Sequence, residues 1–247
     1  HAPSLDQCGT LLVGVNRDDT QQLKRLYDFR HALNLEVEWL TGTEAREKEP
    51  VLSPRIASAI WLPEDAQIDN HQLLDDLFAV LKQQARVIRE NTEVTAIQQY
   101  DSGKWGVTTR QGEELYDEVI ITAGSWSHIF NHLEANRNFG FRPVKGEILA
   151  MEQTENCELN TMVRTPRGYL VPKKGGPLLL GATSYEKGFD QKATAGGVKD
   201  LLEFGYEVVP AIYELPLEAI DVGLRPATRD NSPIIGCGSV NGLHWAT

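Results

Sequence analysis

The sequence predicts an α+β protein, or two interwoven domains, on three observations. Strand-length apolar runs interleave with amphipathic helical stretches, but without a strict βαβ repeat. One strong helix is followed directly by three strand-like runs parted by turn residues. From Phe141 to Thr183 strands dominate. At 247 residues the chain has room for one large domain or two smaller ones.

Leu11 to Val15 reads as a short strand. Asp18, Asp19 and Thr20 then offer N-caps for a helix through about Leu33, with Leu23, Leu26, Tyr27 and Leu33 at helical spacing. Glu36 to Leu40 alternates like a strand. Thr41 and Glu44 have capping-box form, and the short helix they open must end near Pro50. Ala57 to Leu62 is a further strand, closed by Pro63-Glu64-Asp65. The clearest helix runs from Asn70 to about Ala85, with Asp69 and Gln72 at capping-box spacing. Leu73, Leu74, Leu77, Phe78 and Leu81 form its apolar stripe.

Three strand-like runs follow, Glu93 to Tyr100, Lys104 to Arg110 and Leu115 to Thr122, and read as a β-meander. The next strands are Arg142 to Met151, Met162 to Thr165, Gly168 to Pro172 and Leu178 to Thr183, the last two joined through Gly175-Gly176. Gly196-Gly197 precedes a helix from Val198 to about Val209, and Ile212 to Val222 is strand-like again. The chain opens at His1 and stops on a strand-like stretch with no following turn, which reads as a piece of a longer protein.

Composition excludes several function classes. Lys and Arg number 24 against 35 Asp and Glu, and the resulting charge of -11 disfavours nucleic acid or an anionic membrane face as main partner. No apolar run approaches the roughly 18 residues a membrane helix needs, and no signal-peptide pattern stands at either end. Cys8, Cys157 and Cys237 are odd in number and far apart, so they make neither a disulfide framework nor a metal knuckle. A reducing cytoplasm is the expectation.

Local motifs differ in weight. Gly236-Cys237-Gly238 with Gly242 has GxGxxxG spacing and leads into a strand, so it reads as a glycine-rich turn rather than a phosphate cradle. His128 and His132 are four apart but lack the third ligand and general base of a zinc site, and no metal is assigned. No GxSxG elbow is present. Ala123-Gly124-Ser125-Trp126-Ser127 follows the apolar run Val119 to Thr122. It suits a backbone that approaches a ligand closely, and equally a plain helix start with a Ser cap. Arg225, after a strand and locked by Pro226, suits a bidentate grip on a carboxylate, or else an ordinary surface ion pair. Tyr169, near the start of its strand, reads as core or as a hydroxyl turned to a ligand.

Taken in order, seven segments resemble the flavin-dependent amine and D-amino-acid oxidase superfamily, most of all its glycine-oxidase branch of thiamine biosynthesis. They are Glu49-Pro50-Val51-Leu52, Thr92-Glu93-Val94-Thr95, Ile121 to Ser127, Pro143-Val144-Lys145-Gly146-Glu147, Gly168 to Pro172, Gly181-Ala182-Thr183 and the GLRPxTxDxxPxIG run from Gly223. The resemblance implies an interleaved pair of domains: a partial FAD-binding domain over 64–136 and 223–247, and a mixed-sheet substrate domain over 10–63 and 137–222. It implies FAD contacts at Val94, Ala123, Gly124, Trp126, Gly223, Leu224 and Arg225, with Arg225 and Tyr169 also binding substrate. It assigns no residue as a catalytic acid or base.

The family's N-terminal βαβ unit with GxGxxG, and a C-terminal G-H-x-R-x-G segment, have no counterpart here. The activity implied is oxidation of glycine or a related small amine to the imine, with hydride transfer to the flavin and O2 reduced to hydrogen peroxide. Sarcosine oxidation and D-amino-acid dehydrogenation are the alternatives within that class. A truncated module that binds no FAD is the alternative outside it. The implied partners are the small substrate and O2, in an assembly compatible with a homo-oligomer.

Overall fold

A computed structural model describes residues 4–84, 86–134 and 137–247. The chain forms two compact units. One comprises His1–Gln84, Gly146–Thr183 and Lys192–Val222, and the other Ala85–Lys145, Ser184–Gln191 and Gly223–Thr247.

The first unit opens with β1 (Leu5–Asp6), β2 (Thr10–Gly14), α1 (Arg17–Ala32), β3 (Glu38–Thr41), α2 (Gly42–Lys48), β4 (Ser58–Leu62), β5 (Gln67–Ile68) and α3 (Asn70–Gln83). The second contributes β6 (Val94–Gln99), β7 (Trp105–Thr109), β8 (Gly112–Tyr116), β9 (Val119–Ile121) and a 3-10 helix over Gly124–Leu133. Next come β10 (Arg142–Met151), β11 (Met162–Thr165), β12 (Gly168–Pro172), β13 (Leu178–Gly181) and α4 (Ala195–Val208). A short 3-10 turn over Pro210–Glu214, then β14 (Leu217–Ala227), β15 (Ile235–Cys237) and β16 (Leu243–Ala246), complete the order. Both β10 and β14 have residues in each unit.

The main sheet has the order β14-β10-β13-β12-β11-β2-β4-β3. It is mixed: β2 runs parallel to β11, while β2–β4, β3–β4, β11–β12 and β12–β13 are antiparallel. Strand alternation fills both faces. Leu11, Val13 and Ala59 pack with Leu201, Phe204 and Val208 of α4. Leu12, Ile60 and Leu62 turn the other way, onto Leu23, Leu26 and Tyr27 of α1. The second unit has its own core of Ile97, Trp105, Ile121, Phe130, Phe141, Leu243 and Trp245. It carries the meander β6-β7-β8 and the sheet β15-β16-β9, in which β16 runs parallel to β9.

Several sequence expectations need correction. The cap of α1 is Asn16, with Asp19 closing the box, rather than Asp18, Asp19 or Thr20. Asn16 stands two residues nearer the strand than Asp18, and its side chain accepts the Asp19 N–H at 2.9 Å. The third strand-like run splits: β8 completes the meander, while β9 joins a different sheet. The glycine pair lies inside the first turn of α4, which starts at Ala195 behind the cap Thr194. Gly196, Gly197 and Gly205 give that helix a low intrinsic propensity, glycine being worth up to about 1 kcal/mol less than Ala in a helix interior. Burial of Leu201, Phe204 and Val208 offsets this at about 1.5–3 kcal/mol apiece.

The stretch Ile212 to Val222 is likewise divided. Pro210 starts the short 3-10 turn, a position proline favours, and the strand begins only at Leu217. The GLRP segment therefore lies within β14, an edge strand of the sheet, the kind of strand in which proline is tolerated. Helix α3 buries none of its residues, and Leu74, Leu77 and Leu81 of its stripe are exposed. Periodicity fixes which residues share a face, not what covers it. Its expected end at Ala85 lies outside the described residues.

Candidate cofactor site

The second unit holds an apolar cleft of about 450 Å³ lined by β6, β7, β9 and the 3-10 helix that follows β9. Val94, Ala123 and Trp126, three residues singled out in the sequence, meet there with Ile97, Val107, Ile120 and Ile129. Ile120 is 62% exposed and Trp126 45% exposed. Large apolar side chains left open around a concavity mark a binding surface. Strand β9 is at the edge of its three-stranded sheet, so one row of its backbone groups faces away from β16.

The turn after β9 fits a ligand approaching its backbone. Gly124 has φ +53°, a left-handed conformation that favours glycine, and a Cβ there would have nothing within 4 Å. Ala123, at the helix start, gives no side-chain cap, so the first N–H groups are left for another acceptor. Three hydrogen bonds fix this turn. Ser125 Oγ donates to the Leu224 carbonyl at 3.0 Å, Ser127 Oγ to Thr247 Oγ1 at 3.1 Å, and Thr247 Oγ1 to the Gly124 carbonyl at 3.3 Å. The first ties the turn to the GLRP strand. Gly223 and Arg225 flank Leu224 there, both exposed, and Gly223 has open space where a side chain would stand.

Tyr169 belongs to the first unit. It is half-buried on β12 opposite Gly181 of β13, and a Cβ on Gly181 would lie 2.7 Å from its ring. The ring therefore lies across the neighbouring strand where no side chain stands. His128 and His132 each donate Nδ1–H to a backbone carbonyl three residues earlier, those of Ser125 and Ile129, at 3.1 and 2.9 Å.

The glycine-rich turn over 236–242 does hold an anion, and it is the chain's own. The Ser239 N–H donates to both oxygens of the buried Glu134 at 3.2 and 3.0 Å, and the Trp245 indole N–H adds a third bond at 2.7 Å. Burial alone would raise the Glu134 carboxyl. The bonds from Ser239 and Trp245 and the charge of Arg137 outweigh it and hold the group below its ordinary range. A Cβ on Gly238 would sit 2.6 Å from the same carboxylate. GxGxxxG spacing in the sequence did not reveal this role, because the acid lies far away along the chain.

Cleft residues Ile120 and Ile129 also went unsingled in the sequence. Within the run Val119 to Thr122, alternation distinguishes Ile120 from the buried Ile121, but nothing local shows that its side of the strand is open.

The cleft offers apolar walls beside an uncapped helix start, a donor set that fits the ring systems of a flavin nucleotide. The family described as FAD dependent oxidoreductase (DAO) matches residues 1–247. A glycine oxidase from Geobacillus kaustophilus is 33% identical over 230 residues, covering 92% of this chain and 60% of that protein. The crystal structure of glycine oxidase from the same organism superposes with a TM-score of 0.92 at 31% identity, covering 98% of this chain and 65% of that one. An L-alpha-glycerophosphate oxidase from Mycoplasma pneumoniae, solved with FAD bound, shares the fold at TM-score 0.86 and 23% identity, over 98% and 68% of the two chains. The chain thus spans about three fifths of the length of the curated glycine oxidases it matches.

Proposed function

The chain belongs to the FAD dependent oxidoreductase (DAO) family, and from that premise we propose that it forms part of an FAD-dependent oxidase of glycine or a related small amine. The supporting observation is the convergence of Val94, Ala123 and Trp126 on one apolar cleft, with the Ser125–Leu224 bond tying it to the GLRP strand.

When bound, FAD supplies the acceptor for the hydride of the substrate α-carbon and passes the electrons to O2, giving hydrogen peroxide while the imine hydrolyses. This chain's part is binding and orientation. Val94, Ala123 and Trp126 form one wall for the cofactor. The Gly124 turn presents backbone at close range, and Gly223, Leu224 and Arg225 carry that wall onto the strand bonded to it. Arg225 grips the substrate carboxylate through a charge-assisted fork, and Tyr169 contacts the substrate through its hydroxyl. We assign no general base, because an amine that arrives neutral has no proton to surrender before hydride transfer.

The first test is titration of the purified chain with FAD, read by quenching of tryptophan fluorescence and by flavin absorbance near ~450 nm co-eluting with protein. Binding that weakens in Trp126→Phe supports the site. A chain that stays colourless and unquenched at saturating FAD overturns the cofactor role and leaves a non-catalytic module. The second test fuses the glycine-rich βαβ unit of a curated relative ahead of residue 1 and assays glycine, sarcosine and D-amino acids. Peroxide formed in step with substrate separates an oxidase from a dehydrogenase. Arg225→Ala should cost about 3 kcal/mol of substrate binding, and unchanged turnover at low substrate removes Arg225 from the clamp.

A further inference from the structure

The segment 184–191 of the second unit is anchored at several points and presents one aromatic ring to the cofactor cleft's tryptophan. Phe189 meets Trp126 with ring centroids 5.4 Å apart and 38° between planes, and meets His128 at 5.3 Å and the same angle. Phe189 is not itself a lining residue of the cleft, whereas Trp126 is. We infer that Phe189 is a positioning residue that holds the Trp126 indole in its place at the cleft, acting from outside the site.

The anchoring argues for a built contact. Lys145 and Tyr185 exchange both backbone hydrogen bonds at 2.9 Å, which ties the segment to the start of β10. The Lys145 side chain is wholly buried, and its ammonium is 2.9 Å from Asp190, the residue after Phe189. A buried cation is costly unless paired, so this ion pair fixes the backbone beside the ring. Arg142 pairs with Glu186 at 3.0 Å nearer the segment's start. Between these ties, Gly188 takes φ +58° with open space around it, the turn that precedes Phe189.

Trp126 needs such a support. It sits in the first turn of a 3-10 helix, projects from a surface helix and remains 45% exposed. An indole in that position samples several rotamers, and each one not facing the cleft subtracts from binding. The tilted stack on Phe189 removes part of that freedom before any ligand arrives. The inference rests on reading the cleft as a cofactor wall, and its test separates the two.

The experiment uses the purified chain and the variants Phe189→Ala, Phe189→Leu and Phe189→Tyr. The Trp126 emission is obtained as the difference from Trp126→Phe in each background, and every variant is titrated with FAD. Phe189→Ala and Phe189→Leu should shift the Trp126 emission to the red and weaken FAD quenching by about threefold to tenfold, the range an aromatic pair contributes. Phe189→Tyr should restore both. A merely structural role would lower the unfolding midpoint without moving the Trp126 difference spectrum, and that result overturns the inference. Should Phe189→Ala fail to fold, Phe189→Leu, which keeps apolar volume but lacks a ring, decides the question. A shifted emission with no FAD binding in any form leaves the clamp standing and removes the cofactor reading.

Discussion

Ser125 donates its hydroxyl to the Leu224 carbonyl at 3.0 Å, joining two segments 99 residues apart in the sequence. Ser125 is 1% exposed and Leu224 is half-buried, so an alanine would leave the Leu224 carbonyl partly shielded from a replacement partner. Ser125→Ala should therefore cost the second unit about 1 kcal/mol and loosen the GLRP strand from the Gly124 turn. Urea unfolding followed by tryptophan emission reads this directly. A midpoint equal to that of the parent chain would show that the bond carries no stability.

Glu134 gives a pH signature of opposite sign to an ordinary buried carboxyl. Its folded value is depressed, so its stabilisation is complete above about pH 4.3, the unfolded value, and is lost as pH falls through the folded value. Glu134→Gln keeps one acceptor but turns an amide toward the Ser239 and Trp245 donors, costing about 1–3 kcal/mol near neutrality. Unfolding midpoints from pH 3 to 7 should show the parent losing stability below about pH 4 and the variant losing less. Parallel profiles would exclude Glu134 as the source.

Much of the element order was legible because period and capping are local. Thr41 and Glu44 close a capping box around α2 as their spacing indicates, with the Thr41 N–H on Glu44 at 2.7 Å. Runs such as Met162–Thr165 and Gly168–Pro172 form strands where turn residues bound them. Sheet membership was not legible, since β9 pairs with β16, more than a hundred residues on, rather than with β8. The candidate site shows the same division. Ala123, Gly124 and Trp126 stand out as a turn after a strand, but Phe189 and Glu134 reach their partners only through tertiary contacts.

Glu49 should mark the acid side of the stability profile from the other direction. It is fully buried, and burial pushes its carboxyl up despite bonds from Thr161 and Asn160. Its Oε1 accepts the N–H groups of Asn160 and Thr161 at 3.0 and 2.7 Å, while Oε2 has no hydrogen-bond partner among the described residues. A raised folded value means stability is fully present below about pH 4.3 and declines as pH rises through the folded value. Glu49→Gln retains the acceptor and sheds the charge, so it should flatten that decline. Glu49→Leu strands two N–H donors and should cost about 1–3 kcal/mol for each. Stability measured from pH 4 to 8 separates the three, and a Gln variant less stable than the parent at pH 8 contradicts the burial argument.

Adjacent glycines of α4 should respond to the same substitution with opposite signs. The fully buried Glu147 seats its carboxylate on the start of this helix, accepting the Thr194 N–H at 3.0 Å and the Thr194 hydroxyl at 3.2 Å. A negative charge there suits the helix dipole. A Cβ on Gly197 would fall 1.6 Å from Glu147 Oε2 and 2.7 Å from its Cδ. One of the two groups must move, and both are buried, so Gly197→Ala should cost about 3 kcal/mol or more by overpacking and by displacing the carboxylate. At Gly196 a Cβ would meet nothing within 4 Å, so Gly196→Ala should add about 0.5 kcal/mol by reducing the freedom of the unfolded chain. Thermal and urea midpoints of the two variants provide the comparison. Equal shifts would mean that Glu147 does not press on the helix start, and that its charge is held by other groups.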